Sequence, residues 1–336
     1  MLTWLPRSRG ASDLLRHLHS IAGGIVFGLV IAGSAAAEPL KVGVVTWIGY
    51  GPFYIAKEKG FFEEEGVEVE FIVMDSEERF LAHAAGQIDV SETTVDTVLK
   101  YRSDEQDYRY LFAAVGSRGG DGIVADKDIQ TIADLEGKTV AYEKDIVSEF
   151  YFGVLLKDAG LSFEDIGSMD MPWNDAGAAF VEGRVDAAVT AEPWLTKGKQ
   201  TDHGHLLVDS SSSPELMVDV VLTTRERLAA RPEDFKALYR AWVKAVEFQK
   251  ANEKEADDIM ARGLGDWLGD PAVVAEARAG FAFYDDAMNQ AYIGTPEAPG
   301  DIVETTTSAL EFGRESGLFA HDVEPAELVA FEIVNQ

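Results

Sequence analysis

The residues able to do chemistry in this 336-residue chain speak first against catalysis. The absence of cysteine excludes thiolate nucleophiles, thiolate metal sites, disulfides and a lipid-modified N-terminal cysteine. Of the histidines, His17 and His19 lie in the N-terminal 37 residues, which read as a targeting segment, His83 on an expected helix and His321 near the end. His203 and His205 sit in a polar Thr-Asp-His-Gly-His run, which reads as a solvated loop rather than a metal site. Gly119-Gly120-Asp121-Gly122 lacks the lysine and hydroxyl of a phosphate loop, and no Gly-x-Gly-x-x-Gly follows a strand. Carboxylate pairs are expected by chance in a chain with 59 acids. What remains is a set suited to binding, placed in loops after expected strand ends: Trp47, Tyr50, Phe53, Thr93, Thr94, Asp96, Gly120, Asp121, Ser148, Glu149, Trp173, Asn174, Asp175 and Glu192. Aromatic faces and carboxylates together hold cations, at about 0.5–2 kcal/mol per ring.

The elements that must position these residues begin with a β-α-β unit over 40–71. Leu40, Val42, Val44 and Val45 form a buried strand, and the turn 46–52 contains Gly49, Gly51 and Pro52. A helix then runs from Pro52 to a stop at Gly60, a short link carries Phe61 and Phe62, and Val67, Val69 and Phe71 alternate with Glu68 and Glu70 as a second strand. In an open α/β sheet, ligands meet the loops beyond the carboxyl ends of strands, which places 46–53 at a site. Further on, Ser76 is expected to cap a helix ending near Gly86, with strands over 88–91, 110–115 and 123–125. Ser148 is expected to cap the helix ending at Gly160, and 173–175 to be a loop before the helix 176–182. The C-terminal third reads as helices, starting with Leu238, Trp242, Ala245 and Phe248 at spacings of three or four, and continuing over 271–283, 305–316 and 325–332.

Composition bounds the class. Residues 1–37 read as a cleavable export signal, with Arg7, Arg9 and Arg16, a 13-residue apolar core over 21–33 and Ala35-Ala36-Ala37 before Glu38. That core is shorter than the roughly 20 apolar residues a membrane span requires. The whole chain carries 29 Lys+Arg against 59 Asp+Glu, a net charge of −30. Such a surface repels nucleic acid and anionic membrane, so neither is an expected partner. A mature chain of about 300 residues suits two lobes better than one average core.

The motifs come in an order that resembles the nitrate/sulfonate/taurine-type solute-binding proteins of ABC importers. They are the Trp47-x-Gly49-x-x-Pro52 loop, the helix end Ala56-Lys57-Glu58-Lys59-Gly60-Phe61-Phe62 and the strand from Gly66 to Glu70. Ala85-Gly86-Gln87-Ile88-Asp89-Val90, Leu135-Glu136-Gly137-Lys138-Thr139-Val140 and Gly183-Arg184-Val185-Asp186 through Glu192-Pro193-Trp194 follow. The resemblance implies a type II-like periplasmic binding protein: an α/β fold of two lobes, each a mixed sheet flanked by helices, with the ligand in the cleft between them. The lobes are expected at 39–121 with 222–336, and at 122–221. It also implies a small-molecule solute and an ABC permease as partners, a periplasmic monomer, and neither cofactor, metal nor catalysis. Glu192 looks generic to the family and reads as strand-end structure more than ligand contact. The alternative of a thiamine-pyrimidine-related binding protein or enzyme is weakened, as an enzyme, by the absence of cysteine.

The residues and the family's usual solutes point different ways on charge. Sulfonate and nitrate need Arg, Lys or converging N–H groups. The expected loops offer Asp96, Asp121, Glu149 and Asp175, with Arg118 as their one cation. Burying several carboxylates beside an anion is costly, so a cationic or zwitterionic nitrogen compound is expected over an organosulfonate.

Overall fold

The structure, a computed structural model, describes residues 38–75, 78–103, 105–213 and 216–336. The expected signal segment and the expected cap Ser76 lie outside them.

Among the described residues, eleven strands divide between two lobes. In the first, β1 (Leu40–Val44) pairs in parallel with β2 (Val69–Val73), and a Val42–Val90 bridge joins β1 to the strand after it. That strand, β3 (Ser91–Thr94), continues antiparallel into β10 (Val218–Thr224), β4 (Tyr108–Ser117) and β11 (Phe281–Phe283). The second lobe orders β7 (Gly167–Asp170), β6 (Thr139–Tyr142), β8 (Ala187–Ala191), β5 (Asp121–Asp126) and β9 (Gly204–Asp209). Its β7–β6–β8 portion is parallel and its β8–β5–β9 portion antiparallel. Both sheets are mixed, and helices flank them as expected. Among the described residues no helix is long and apolar enough to cross a membrane.

The strand registers place the crossovers. Asp121 already pairs with Ala191 in the second sheet, and β10 lies whole in the first sheet from Val218 onward. The expected boundary at 221/222 therefore falls inside a strand. Both crossings are tied together where they pass: Ser117 Oγ and Ser210 Oγ are 2.6 Å apart, and Ser210 Oγ accepts the Gly119 N–H at 2.9 Å. Gly120 is required there by close approach, because a Cβ on it would lie 2.3 Å from the Phe281 ring.

The core of the first lobe gathers around Trp242, on the helix Pro232–Ala251. This helix starts at a proline that needs no N–H and buries Phe235, Leu238, Trp242, Ala245 and Val246 along one face. Phe53 packs against Trp242 with ring centroids 4.9 Å apart. The lobes also share packing. Phe150, on the helix Val147–Asp158 of the second lobe, meets Phe312 of the helix Ile302–Ser316 edge to face at 5.1 Å and belongs to the first lobe's apolar cluster.

Several local expectations are corrected. Residues 271–283 are not one helix: the helix stops at Arg278, Gly280 packs on Gly120, and 281–283 pair with β4 as an edge strand. Trp173, Asn174 and Asp175 are the first turn of a helix, Trp173–Val181, rather than a loop, because the Glu143 carboxylate accepts the Trp173 N–H at 3.0 Å and so starts the helix there. Ser148 is the second residue of its helix, not its cap, which falls at Ile146.

Candidate functional site

The cleft between the lobes holds about 650 Å³ of space, its open mouth included. From the first lobe it is lined by Val45, Trp47, Tyr50, Arg79, Glu92, Thr93, Thr94 and Asp219, and from the second by Asp121, Ile146, Val147, Ser148, Trp173, Thr190 and Ala191. Met217, on the return crossing, completes it.

The loop after β1 folds over the cleft for a local reason. Gly49 leaves room for the Trp47 ring, since a Cβ at Gly49 would lie 1.7 Å from it. Trp47 stands edge to face against Phe281 at 5.5 Å and Tyr50 at 6.5 Å. Tyr50 is buried, and its hydroxyl donates to the main-chain carbonyl of Glu92 at 2.8 Å. Arg79 donates both to the Tyr50 hydroxyl and to that same carbonyl. The three residues brace the start of β3 to the start of the helix Gly51–Lys59.

The side chain of Glu92 is the exception in this brace. It is 2 % exposed, and neither carboxylate oxygen has a hydrogen-bond partner among the described residues. Asp219 lies on the adjacent strand, where it pairs with Thr94, so its side chain shares a sheet face with Glu92 two residues back. Burial drives the Glu92 carboxyl well above the usual range; Asp219 adds to the rise and Arg79 opposes it. Asp219 is likewise raised by burial and then by Asp121, again against Arg79. Asp121, whose N–H donates to Ser117 Oγ at 3.1 Å, is pushed up to about 6, chiefly by burial.

Across the cleft, Trp173 is held from two sides. Glu143 accepts its N–H at 3.0 Å, Thr190 Oγ1 donates to its carbonyl at 2.8 Å, and its ring meets Trp267 of the first lobe at 5.4 Å. Burial pushes Glu143 up to about 7 despite that bond.

Of the residues expected from sequence, the cleft brings together Trp47, Tyr50, Thr93, Thr94, Asp121, Ser148 and Trp173. The others lie elsewhere. Phe53 is core, buried among Tyr50, Phe71 and Trp242. Asp96 lines a separate cavity beside Val95, Phe150, Asp301 and Glu304. Gly120 serves the crossover and accepts the Glu192 N–H at 2.7 Å. Glu149 is engaged with Lys100 at 3.2 Å across the lobes. Asn174 lines the outer mouth with Asp75, Glu143 and Asp266, and Asp175 faces solvent. Glu192 accepts the N–H and hydroxyl of Thr196, each at 3.0 Å, so it starts the helix Trp194–Lys199. His203 and His205 bond the carbonyls of Phe180 and Ile129 at 3.0 and 2.7 Å.

Sequence reasoning missed Arg79, Glu92 and Asp219. Arg79 sat inside an expected helix and Asp219 in the expected return to the first lobe, while Glu92 was passed over in the segment after the strand 88–91 that supplied Thr93 and Thr94. A signal was present: Asp219 interrupts the apolar run from Val218 to Leu222, and β3, Ser91-Glu92-Thr93-Thr94, is fully buried without one apolar residue.

Two mixed sheets, a doubly crossed connection and a ligand-sized cleft between lobes define the fold of periplasmic binding proteins. The chain belongs to the NMT1/THI5-like family, whose model matches residues 47–256. It is similar to a Bacillus subtilis protein assigned as an aliphatic sulfonates-binding protein, 26 % identical over 215 residues covering 62 % of this chain and 65 % of that one. It is similar also to the formylaminopyrimidine-binding protein of Halalkalibacterium halodurans, 26 % identical over 213 residues covering 62 % and 64 %. The matches thus span a little under two-thirds of these relatives. Among solved structures, the alkanesulfonate-binding protein SsuA from Xanthomonas axonopodis pv. citri, bound to MOPS, superposes with a TM-score of 0.70 at 18 % identity, covering 88 % of this chain and 99 % of that one.

Proposed function

We propose that this protein is a periplasmic receptor that delivers a small nitrogen-containing solute, cationic or zwitterionic, to the permease of an ABC importer. In this reading residues 1–37 direct export and are removed, and the mature protein works as a monomer without catalysis. Ligand binds mainly the closed arrangement of the lobes and shifts the population toward it. Trp47, Tyr50, Thr93, Thr94, Asp121, Ser148 and Trp173 are the ligand contacts, joined by Arg79, Glu92 and Asp219. The observation that carries the proposal is the charge of the cleft wall. Glu92, Asp121 and Asp219 face a space in which Arg79 is the only cationic lining residue among the described residues, between the rings of Trp47, Tyr50 and Trp173. An anion would add a charge to a wall already rich in carboxyls, whereas a cation relieves it.

A second reading, an organosulfonate, is favoured by Arg79 and by Ser148 in the first turn of a 12-residue helix. The Bacillus and Xanthomonas relatives support it. A zwitterion with both an ammonium and a sulfonate, as in the MOPS bound to the Xanthomonas protein, would use Arg79 and the carboxyls together. A pyrimidine with exocyclic amino groups, in line with the Halalkalibacterium relative, would instead offer N–H donors to Glu92.

Isothermal titration of the mature protein against amines, zwitterionic and simple alkyl sulfonates, aminopyrimidines and nitrate tests these readings, with product analysis on each hit. Saturable binding of an amine, a zwitterion or an aminopyrimidine without product is expected. Tight binding of a simple alkyl sulfonate with no affinity for any cation overturns the charge assignment, and turnover of a ligand overturns the receptor.

A further inference from the structure

Glu92 poses an electrostatic problem that the brace around it does not solve. Its main-chain carbonyl is satisfied twice, by Tyr50 and Arg79, while its two side-chain oxygens are buried without hydrogen-bond partners among the described residues. A bare, buried carboxylate is among the costliest groups a fold can hold, and such a group takes up a proton or finds a cation.

The neighbours sharpen the problem. From the adjacent strand β10 comes Asp219, on the same face of the sheet. Asp219 in turn feels Asp121 from β5 and Asp96 from the helix Val95–Tyr101. Arg79 is the cation acting on both Glu92 and Asp219, and the Tyr50 hydroxyl near it stays protonated because burial raises it. One guanidinium can offset one of these carboxylates. The remainder must be neutralised by protons when no ligand is present, and by the ligand when it is.

We propose that Glu92 and Asp219 form a carboxyl pair that carries a proton in the ligand-free cleft and releases it to water when a cationic ligand nitrogen takes its place. Glu92 is then the residue that selects for positive charge. The exchange balances: the pair loses one proton to solvent, becomes one unit more negative, and the incoming cation restores the charge. The proton belongs to the pair rather than to either oxygen set, as for any two closely coupled acids. A neutral ligand would bind without proton release, and an anion would favour the protonated pair. The scheme rests on the cation-receptor reading above, and the test separates the two.

Infrared difference spectra of wild-type protein against Glu92→Gln, both ligand-free at pH 7, report the protonated carboxyl directly. A carboxylic C=O band present in wild type and lost in the variant is expected, with Asp219→Asn as the second variant in case the first does not fold. In the ligand arm, ethylammonium, taurine and ethanesulfonate are titrated calorimetrically in phosphate and in Tris, whose ionisation heats differ. The expected result is that ethylammonium or taurine binds with release of about one proton, and that Glu92→Gln weakens this binding by more than tenfold and abolishes the release. An ionised Glu92–Asp219 pair in the ligand-free protein, or cation binding with the same heat in both buffers, overturns the exchange while leaving a cation receptor standing. If none of the cationic or zwitterionic probes binds and ethanesulfonate does, the exchange and the charge assignment beneath it fail together.

Discussion

The Tyr50 hydroxyl donates to the main-chain carbonyl of Glu92 at 2.8 Å, linking the turn after β1 to the strand that floors the cleft. Because the bond goes to the main chain, it fixes where Glu92 stands without neutralising its carboxyl. Tyr50→Phe keeps the ring and removes this bond, leaving buried polar partners short of a donor. A loss of about 1–3 kcal/mol in unfolding free energy is expected by urea denaturation, with a severalfold loss of ligand affinity. An unchanged denaturation midpoint would show that Arg79 suffices as the brace.

Phe53 and Trp47 sit six residues apart in the same segment and are expected to behave oppositely. Phe53 is fully buried on Trp242, so Phe53→Ala should cost about 3–5 kcal/mol of stability. Trp47 is half-buried on the cleft wall, so Trp47→Ala should cost less stability and proportionally more affinity. Denaturation and calorimetry on both variants check this. Equal stability losses would count against Trp47 as a ligand contact.

The lobes are pinned by an ion-pair cluster outside the cleft. Lys100 of the first lobe reaches Asp145 and, at 3.2 Å, Glu149 at the start of the helix Val147–Asp158. Asp145 holds a left-handed backbone, φ 67°, unusual for a residue with a side chain. Lys100→Ala should weaken ligand binding two- to fivefold, consistent with about 0.5–1 kcal/mol for a partly exposed pair. The effect should shrink in high salt, and the radius of gyration of the ligand-free protein by X-ray scattering should rise. Affinity unchanged at low salt would remove the pair from the closing equilibrium.

Stability of the ligand-free protein should fall as pH rises from about 4.5 to 8. Burial pushes Asp121 and Asp96 up to about 6 and Glu143 up to about 7, and it raises Glu92 and Asp219 well above the usual carboxylate range. In that window the folded state binds more protons than the unfolded chain, which makes the slope negative. Buried His83, lowered to about 3 by burial and Arg227, opposes this only below about pH 6.5, where the unfolded imidazole titrates. The decline should therefore be steepest between about pH 5 and 6 and gentler above that point, where Asp121 and Asp96 have already titrated and Glu143, Glu92 and Asp219 carry it. Melting temperatures across the range check it, and Glu143→Gln should flatten the part near pH 7.

The β-α-β unit was legible because apolar periodicity and glycine stops are local signals, whereas the two-lobed plan rested on chain length and on the resemblance carried by the order of the motifs. The site was only half legible. Residues expected in loops after strands, such as Trp47, Asp121 and Trp173, could be found from that position. Arg79 and Glu92 could not, because what brings a helix residue and a strand residue to one wall is sheet order, which no local pattern encodes. Phe53 and Glu149 erred the other way: each stands in a cleft-forming segment, but helix phase turns one into the core and the other toward Lys100.

Phe150 and Phe312 constrain how the molecule can move. Pulling apart the helices Val147–Asp158 and Ile302–Ser316 would wet both rings, at about 1.5–3 kcal/mol for each side chain fully exposed. Rolling one helix over the other would not. Any opening of the cleft that keeps these rings dry must therefore turn the second lobe about this contact like a jaw on its joint, rather than lift it away.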